Sequence, residues 1–293
     1  MDITAVQHKR TVLHPIVPLH APVKVPTMTK NFDLAQWPYP RWIAHRGAGT
    51  LAPENTLAAF RLGASHGYRM FECDVKLSSD GVPFLLHDDT LTRTTQPLHP
   101  PSAEHPLASA VAGDYPWSNL AQLDAGCWHS NSYAGESLPT LAQIARFCIS
   151  NGYLLNIEIK PTVGTERHTG EVVAQHAARL WKGASQQPLL TSFEISALEG
   201  AMAVEPDLPR GLLIHALEGQ SWGQWLEHAS RLKCHAIVCN YELWSAESVA
   251  LAKTAGFRLL SYTVNDDAIA AQLQAWDTDG IITDRVDYFA PSA

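Results

Sequence analysis

Seven side chains in this sequence have types and spacings suited to chemistry: His45 and Arg46 in "AHRG", Glu72 and Asp74 in "FECDVKL", His87 in "FLLHDD", and Glu158 and Lys160 in "NIEIK". On an extended chain successive side chains alternate between faces, so Glu72 and Asp74 project together, as do Glu158 and Lys160. The residues around them are mostly apolar. Burying one carboxylate is costly and neighbouring carboxylates repel, so three in one place require a positive partner. Their hard oxygen donors suit one divalent cation, Mg²⁺ or Ca²⁺, with Mn²⁺ as a further candidate. The competing arrangement is a structural network in which Arg46 and Lys160 pair the carboxylates. Spacing alone does not separate the two.

Two histidines and two fixed cations beside such a cluster suit cleavage of a phosphate ester. One imidazole takes a proton from the attacking oxygen and the other gives one to the leaving oxygen. Arg46 and Lys160 would stabilise the nonbridging oxygens as charge develops. A lone histidine in a strand is more often a packed residue. Here both lie at predicted strand ends beside charged groups.

These residues sit within a repeating order of elements. Predicted strands cover 41–45, 70–77, 154–160, 188–192, 211–216, 236–240, 257–264 and 280–284, with helical patterns between them. One helix is expected to begin at Pro53, bury Leu57, Phe60 and Ala64, and stop at Gly67. Another is capped by Asp266 and aligns Ile269, Leu273 and Trp276. Eight strands alternating with helices predict a (β/α)₈ TIM barrel, whose chemistry gathers at the carboxyl ends of its strands. Residues 82–89 follow the turn signal "SSDG" and read as the returning arm of a hairpin, a small insertion after strand two. Residues 96–112 have the composition of an irregular surface loop.

The 293-residue chain suits one large domain over 37–293, with 1–36 expected as a proline-rich, disordered tail lacking periodicity. Net charge is 21 − 29 = −8, which argues against a nucleic-acid partner. Five cysteines, odd in number and irregularly spaced, indicate reduced thiols in a cytoplasmic protein. Cys234 and Cys239 lack the second pair that a zinc site needs. The N-terminus shows no apolar core of a signal peptide, and no segment is apolar for long enough to span a membrane. The glycine-rich "RGAGT" is not a dinucleotide fingerprint. Oligomeric state is not encoded in any pattern here.

The ordered set "AHRGAGTLAPENTLAAF", "FECDVKLSSDGVPFLLHDDTLTRTT", "NIEIKP", "TSFE", "YTVN" and "GIITD" resembles the glycerophosphodiester phosphodiesterase family over about Trp37 to Asp287. The resemblance implies a TIM barrel of the phospholipase C-like type and hydrolysis of glycerophosphodiesters, such as glycerophosphocholine or glycerophosphoethanolamine, to sn-glycerol 3-phosphate and an alcohol. It implies His45 as general base, His87 as general acid, Glu72, Asp74 and Glu158 as metal ligands, and Arg46 and Lys160 as phosphate contacts. The attacking oxygen is either water or the glycerol 2-hydroxyl. Phe193 and Tyr262 are candidate walls of a glycerol pocket, and Trp128, in "DAGCWH", is a candidate to close over it. Asn55, in "PENT", is expected to hold the loop after strand one. The loop over 96–112 departs from the family pattern and bears on access for the alcohol. Two other readings use the same residues. A lysophospholipase D would need an apolar groove or membrane-facing surface that the sequence does not supply. A binding module without turnover would usually have lost a histidine or carboxylate, and none is missing.

Overall fold

The computed structural model describes residues 37–97 and 111–291. The expected tail over 1–36 and most of the loop over 96–112 lie outside the described residues.

Eight parallel strands form the barrel: β1 Trp42–Ala44, β2 Met70–Leu77, β6 Leu154–Ile159, β7 Leu189–Ser192, β8 Arg210–Ile214, β9 Ala236–Asn240, β10 Arg258–Tyr262 and β11 Gly280–Thr283. Each pairs with the next in chain order, and β1 pairs with both β2 and β11, which closes the cylinder. The expected spans run up to three residues longer than the observed strands, and β8 begins one residue before its expected start. Helices α1 Leu57–Ser65, α3 Leu141–Asn151, α4 Glu166–Leu180, α5 Ile195–Val204, α6 Trp222–Arg231, α7 Ala246–Thr254 and α8 Asp267–Ala275 join successive strands. After β11 the described chain makes a turn, and Phe289 stacks on Trp42 at 4.7 Å between ring centroids.

Local chemistry accounts for the helix ends. Thr140 and Gln143 form a reciprocal capping box on α3, which stops at Gly152 in a left-handed conformation. Asp266 caps α8 as expected, accepting from the backbone N–H groups of Ala268 and Ile269. Helix α1 differs from expectation. It begins at Leu57 rather than Pro53, with Thr56 as its cap. Asn55 takes a left-handed conformation (φ 58°), so Pro53, Glu54 and Asn55 belong to the turn. The helix packs close to that turn at Gly63, where a Cβ would clash with the Gly47 carbonyl.

Strand β3 Pro83–Leu85 returns antiparallel along β2, pairing Val75 with Leu85 and Leu77 with Pro83. The hairpin expected after strand two is therefore present, with a shorter arm. Beyond it the short strands β4 Gln96–Pro97 and β5 Leu123–Asp124 pair, and α2 Trp117–Leu120 packs its Trp117 ring near Phe84. This insertion has its own apolar cluster of Phe84, Leu86, Leu91, Leu120, Leu123 and Leu138.

The barrel lumen explains how buried strands acquire charged ends. Its lower layers are apolar, with Ile43, Met70, Leu189, Leu213, Val238, Leu260 and Ile282 packed together. Because side chains alternate, the same inward row continues from Met70 to Glu72 and Asp74, from Ile43 to His45, and from Ile282 to Asp284. On β6 it runs from Leu154 through Asn156 to Glu158. Apolar side chains fill the bottom and titratable ones ring the mouth.

At the opposite end Arg210 is fully buried without a carboxylate partner among its hydrogen bonds. Its guanidinium donates to the carbonyls of Glu205, Pro206, Leu208, Leu232 and Lys233, tying together the chain entering β8 and β9. Its neighbour His235 has its pKa pushed down to about 4 by burial and by the Arg210 charge. Arg210→Met is expected to cost about 3 kcal/mol in urea unfolding, because it strands buried carbonyls. His235 binds a proton less readily folded than unfolded. Its contribution to stability is therefore complete above pH 6.5 and declines as pH falls toward 4, by up to about 1.4 kcal/mol per pH unit. A His235→Gln variant should show a flatter stability profile across that window.

Candidate active site

Glu72, Asp74 and Glu158 converge because of strand register. Asp74 and Glu158 are direct partners across the β2–β6 pair, and Glu72 lies one inward step below. One oxygen from each lies within 4.8 Å of the others. Glu72 and Asp74 are 3 % and 1 % exposed, so water does little to screen their repulsion.

The three carboxylates are not equally satisfied. Asp74 accepts from Asn55 Nδ2 at 2.8 Å and lies 3.6 Å from Lys160 Nζ. Arg46 Nε is 3.4 Å from Asp74 Oδ2, an ion-pair distance without hydrogen-bond alignment. Burial opposes ionisation of Asp74, but Arg46, Lys160 and the Asn55 hydrogen bond hold its carboxyl below the usual range. Glu158 accepts from Lys160 Nζ at 3.1 Å, yet burial and the Asp74 charge raise its pKa. Glu72 is the outlier. Its Oε2 accepts from the Arg46 backbone N–H at 3.0 Å, while Oε1 is buried without a partner. Burial, followed by the Asp74 charge, pushes its pKa up to about 8. Arg46 and Lys160 thus realise part of the structural network and leave Glu72 short of positive charge. A carboxylate with an unpartnered oxygen, in a cluster with two other hard oxygen donors, fits a divalent cation.

His45 extends beyond β1, and barrel closure brings it against Asp284, the residue after β11. His45 Nδ1 and Asp284 Oδ1 are 2.6 Å apart, and His45 Nε2 lies 3.8 Å from Glu72 Oε2. Burial lowers the imidazole's affinity for a proton, but the Asp284 hydrogen bond and the Glu72 charge outweigh it, and the His45 pKa is raised. Asp284 is held in turn by Asn265 Nδ2 at 2.9 Å, and Asn265 Oδ1 accepts from the Asp284 backbone N–H. The carboxylate directs Nδ1 toward itself and leaves Nε2 facing the cluster.

His87 follows β3 on the hairpin arm. Its Nδ1 pairs with Asp88 Oδ1 at 2.8 Å. Burial is the largest influence on His87, and with the Arg46 and Lys160 charges it outweighs Asp74 and lowers the pKa. Arg46 reaches its position through a left-handed backbone (φ 49°) followed by Gly47 (φ 99°), and its Nη1 donates to Glu54 at 2.9 Å.

Phe193 and Tyr262 cap the apolar lumen in edge contact, with centroids 5.8 Å apart. The Tyr262 hydroxyl donates to the Ile214 carbonyl, which fixes the ring. Trp128 lines a cavity between the insertion and the loop after β1, whose walls include His45, Arg46, Glu54 and Asp284 but neither Phe193 nor Tyr262. Asn55 holds the loop as expected and also fixes Asp74, accepting from its backbone N–H at 3.1 Å.

Sequence reasoning missed Asp88, Asp284 and Asn265 as supports for the histidines. The available signal was position: an acidic residue directly after the last barrel strand must stand beside the end of the first once the barrel closes.

A triple-carboxylate cluster, His45 and two cations at the carboxyl ends of the barrel strands, with His87 on the adjoining hairpin arm, suit a phosphodiesterase of the TIM-barrel class. The chain belongs to the glycerophosphoryl diester phosphodiesterase family, whose model matches residues 45–288. It is 29 % identical over 248 residues to YhdW of Bacillus subtilis, covering 84 % of this chain and 95 % of that protein. It is 28 % identical to a glycerophosphodiester phosphodiesterase of Caldanaerobacter subterraneus, covering 83 % and 93 % respectively. Its fold is similar to that of an Oleispira antarctica phosphodiesterase solved with the product sn-glycerol-3-phosphate, with a TM-score of 0.72, 33 % identity, and coverage of 84 % of this chain and 93 % of that one. Glycerophosphodiester phosphodiesterase is therefore the enzyme class.

Asp284→Asn keeps the shape at His45 but removes the charge that sets its tautomer. It is expected to lower kcat about 10²–10⁴-fold with little change in melting temperature. Steady-state kinetics and thermal unfolding of the same preparation check this.

Proposed function

We propose that this chain hydrolyses glycerophosphodiesters to sn-glycerol 3-phosphate and an alcohol, with Glu72, Asp74 and Glu158 holding one divalent cation. The observation that carries the reading is the buried, unpartnered Oε1 of Glu72 within the carboxylate cluster. The Oleispira antarctica relative, solved with sn-glycerol-3-phosphate, supports the same product here.

Arg46 and Lys160 flank the cluster and offer N–H donors to the nonbridging oxygens of the phosphate. His45 takes the proton from the attacking oxygen at Nε2, with Nδ1 held by Asp284. His87 delivers a proton to the departing alcohol, with Nδ1 held by Asp88. Phe193 and Tyr262 form an apolar wall for the glycerol carbons. The pKa directions in the bare cluster, His45 raised and His87 lowered, are the reverse of those these roles need. When bound, Mg²⁺, Ca²⁺ or Mn²⁺ would polarise a phosphate oxygen and cancel the Glu72 charge that keeps His45 protonated.

Residues 37–293 act as one catalytic unit in this reading, and a net charge of −8 argues against a nucleic-acid partner. Among the described residues no helix is long and apolar enough to cross a membrane. A cytoplasmic location accords with the five free cysteines, of which Cys73, Cys148, Cys234 and Cys239 are buried.

Purified protein supplied with Mg²⁺, Ca²⁺ or Mn²⁺ should release sn-glycerol 3-phosphate from glycerophosphoethanolamine, and chelator should stop it. No release with any of the three cations would overturn the proposal. Added cation should also raise the melting temperature of the wild type. Glu158→Gln should abolish that rise and the activity, while its melting temperature in chelator stays within a few degrees, because one repelling charge is gone. His87→Ala should slow alkyl diesters at least tenfold more than an activated aryl diester, which needs no protonation to leave. Equal losses on both would remove His87 from the role of acid.

A further inference from the structure

Arg93, in "LTRTT", lies five residues past Asp88 and takes no part in the proton transfers. Its turn is anchored on both sides: Leu91, Thr94 and Thr95 are buried, and the Thr95 N–H donates to the Leu91 carbonyl at 3.2 Å. Nε and Nη2 of Arg93 donate to the two oxygens of Asp88 at 2.7 and 2.8 Å, and Nη1 and Nη2 donate to the two oxygens of Glu54 at 2.8 and 2.7 Å. One planar guanidinium thus grips two carboxylates, each by both oxygens. The Arg93 side chain is 43 % exposed, and ion pairs so open to water add little stability. What the double fork supplies is fixed geometry.

The two carboxylates belong to separate pieces of the site. Glu54 lies in the loop after β1 and also accepts from Arg46 Nη1 at 2.9 Å. Asp88 lies on the hairpin arm, and its Oδ1 meets both Arg93 Nη2 and His87 Nδ1. Main-chain bonds hold the arm on either side of His87: the Leu86 N–H donates to the Asp74 carbonyl, and the Asp89 carbonyl accepts from the Ala112 N–H. The fully buried Lys76 adds its Nζ to the Asp89 carboxylate at 2.9 Å. These contacts place the chain. The plane of the Asp88 carboxylate, and with it the direction of the His87 ring, is set by Arg93, which takes both oxygens.

The other imidazole is supported differently. Asp284 and Asn265 follow the neighbouring strands β11 and β10, so barrel register brings them together, and one Asn265 N–H suffices to hold the carboxylate at His45. His87 is carried on an insertion outside that frame. A clamp from the arm to the loop after β1 supplies the missing constraint. It keeps the ring that delivers the proton at a set distance from Arg46, which meets the phosphate. Displacing a reacting group by about 1 Å can cost on the order of 10²-fold in rate.

We propose that Arg93 is a positioning residue for the acid: its double fork onto Asp88 and Glu54 fixes the His87 ring relative to the phosphate met by Arg46. This rests on the hydrolytic reading of the carboxylate site, with His87 as proton donor. The test measures kcat with saturating cation on glycerophosphoethanolamine and on an activated aryl glycerophosphodiester, and takes the aryl-to-alkyl ratio. Arg93→Met is expected to raise that ratio about tenfold, with a melting temperature within a few degrees of the wild type. Any effect passed through Glu54 to Arg46 falls on the phosphate common to both substrates and cancels from the ratio. In a His87→Ala background the same substitution should leave the ratio unchanged, because no ring remains to be oriented. Arg93→Lys keeps the charge without the fork and should raise the ratio severalfold; it carries the test if Arg93→Met does not fold. A ratio raised by His87→Ala but left at its wild-type value by either Arg93 variant would overturn the clamp and leave the hydrolytic reading standing. So would a rise that persists in the His87→Ala background. A ratio unmoved by His87→Ala would remove acid and clamp together, and no product from either substrate with the wild type would overturn hydrolysis as well.

Discussion

Two buried carboxylates and a half-buried third that repel one another set the terms for everything at the mouth of this barrel. Asp74 and Glu158 are brought together by the β2–β6 register, which the barrel cannot relax without shifting a whole strand to its opposite face. Arg46, Lys160 and Asn55 relieve Asp74, and Lys160 relieves half of Glu158. Glu72 keeps an oxygen with no partner and a pKa near 8. That uneven relief sets the cluster apart from a finished salt-bridge network. Complete pairing would have made the cluster a structural feature only.

The repulsion is tolerable because the remainder of the lumen is conventional core. Apolar side chains fill the lower layers, and the opposite end is closed by Arg210 and its five carbonyl acceptors. The two ends use polar groups in opposite ways. Arg210 has acceptors for its donors and serves to hold the chain. The mouth has acceptors in excess, with one Glu72 oxygen left unpartnered.

The two imidazoles show the same division. Each has a carboxylate at Nδ1, yet the supports come from different levels of structure. Asp88 follows His87 directly in the chain, so that pair travels together on the hairpin arm. Asp284 lies 239 residues from His45 and reaches it only through barrel closure. The insertion then ties the arm to the first loop through Arg93 and Glu54, so His87, Arg46 and the walls of the Trp128 cavity share one chain of ion pairs.

Sequence alone determined the strand–helix order, the hairpin after strand two, and the facing of Glu72 with Asp74 and of Glu158 with Lys160. Each follows from the period of two along a strand and from turn and cap residues that act locally. The seven candidate residues were legible for the same reason: charged groups at the ends of apolar strands need an explanation wherever the chain folds. Tertiary structure decided what local rules do not reach. Closure of β11 on β1 made Asp284 the partner of His45. The left-handed turn at Asn55 delayed α1 and gave Asp74 its hydrogen bond. Docking of the insertion placed Trp128 beside Arg93 and not beside Phe193 and Tyr262. These depend on which distant segments meet, and meeting is settled by register and packing between elements, which no window of neighbouring residues contains.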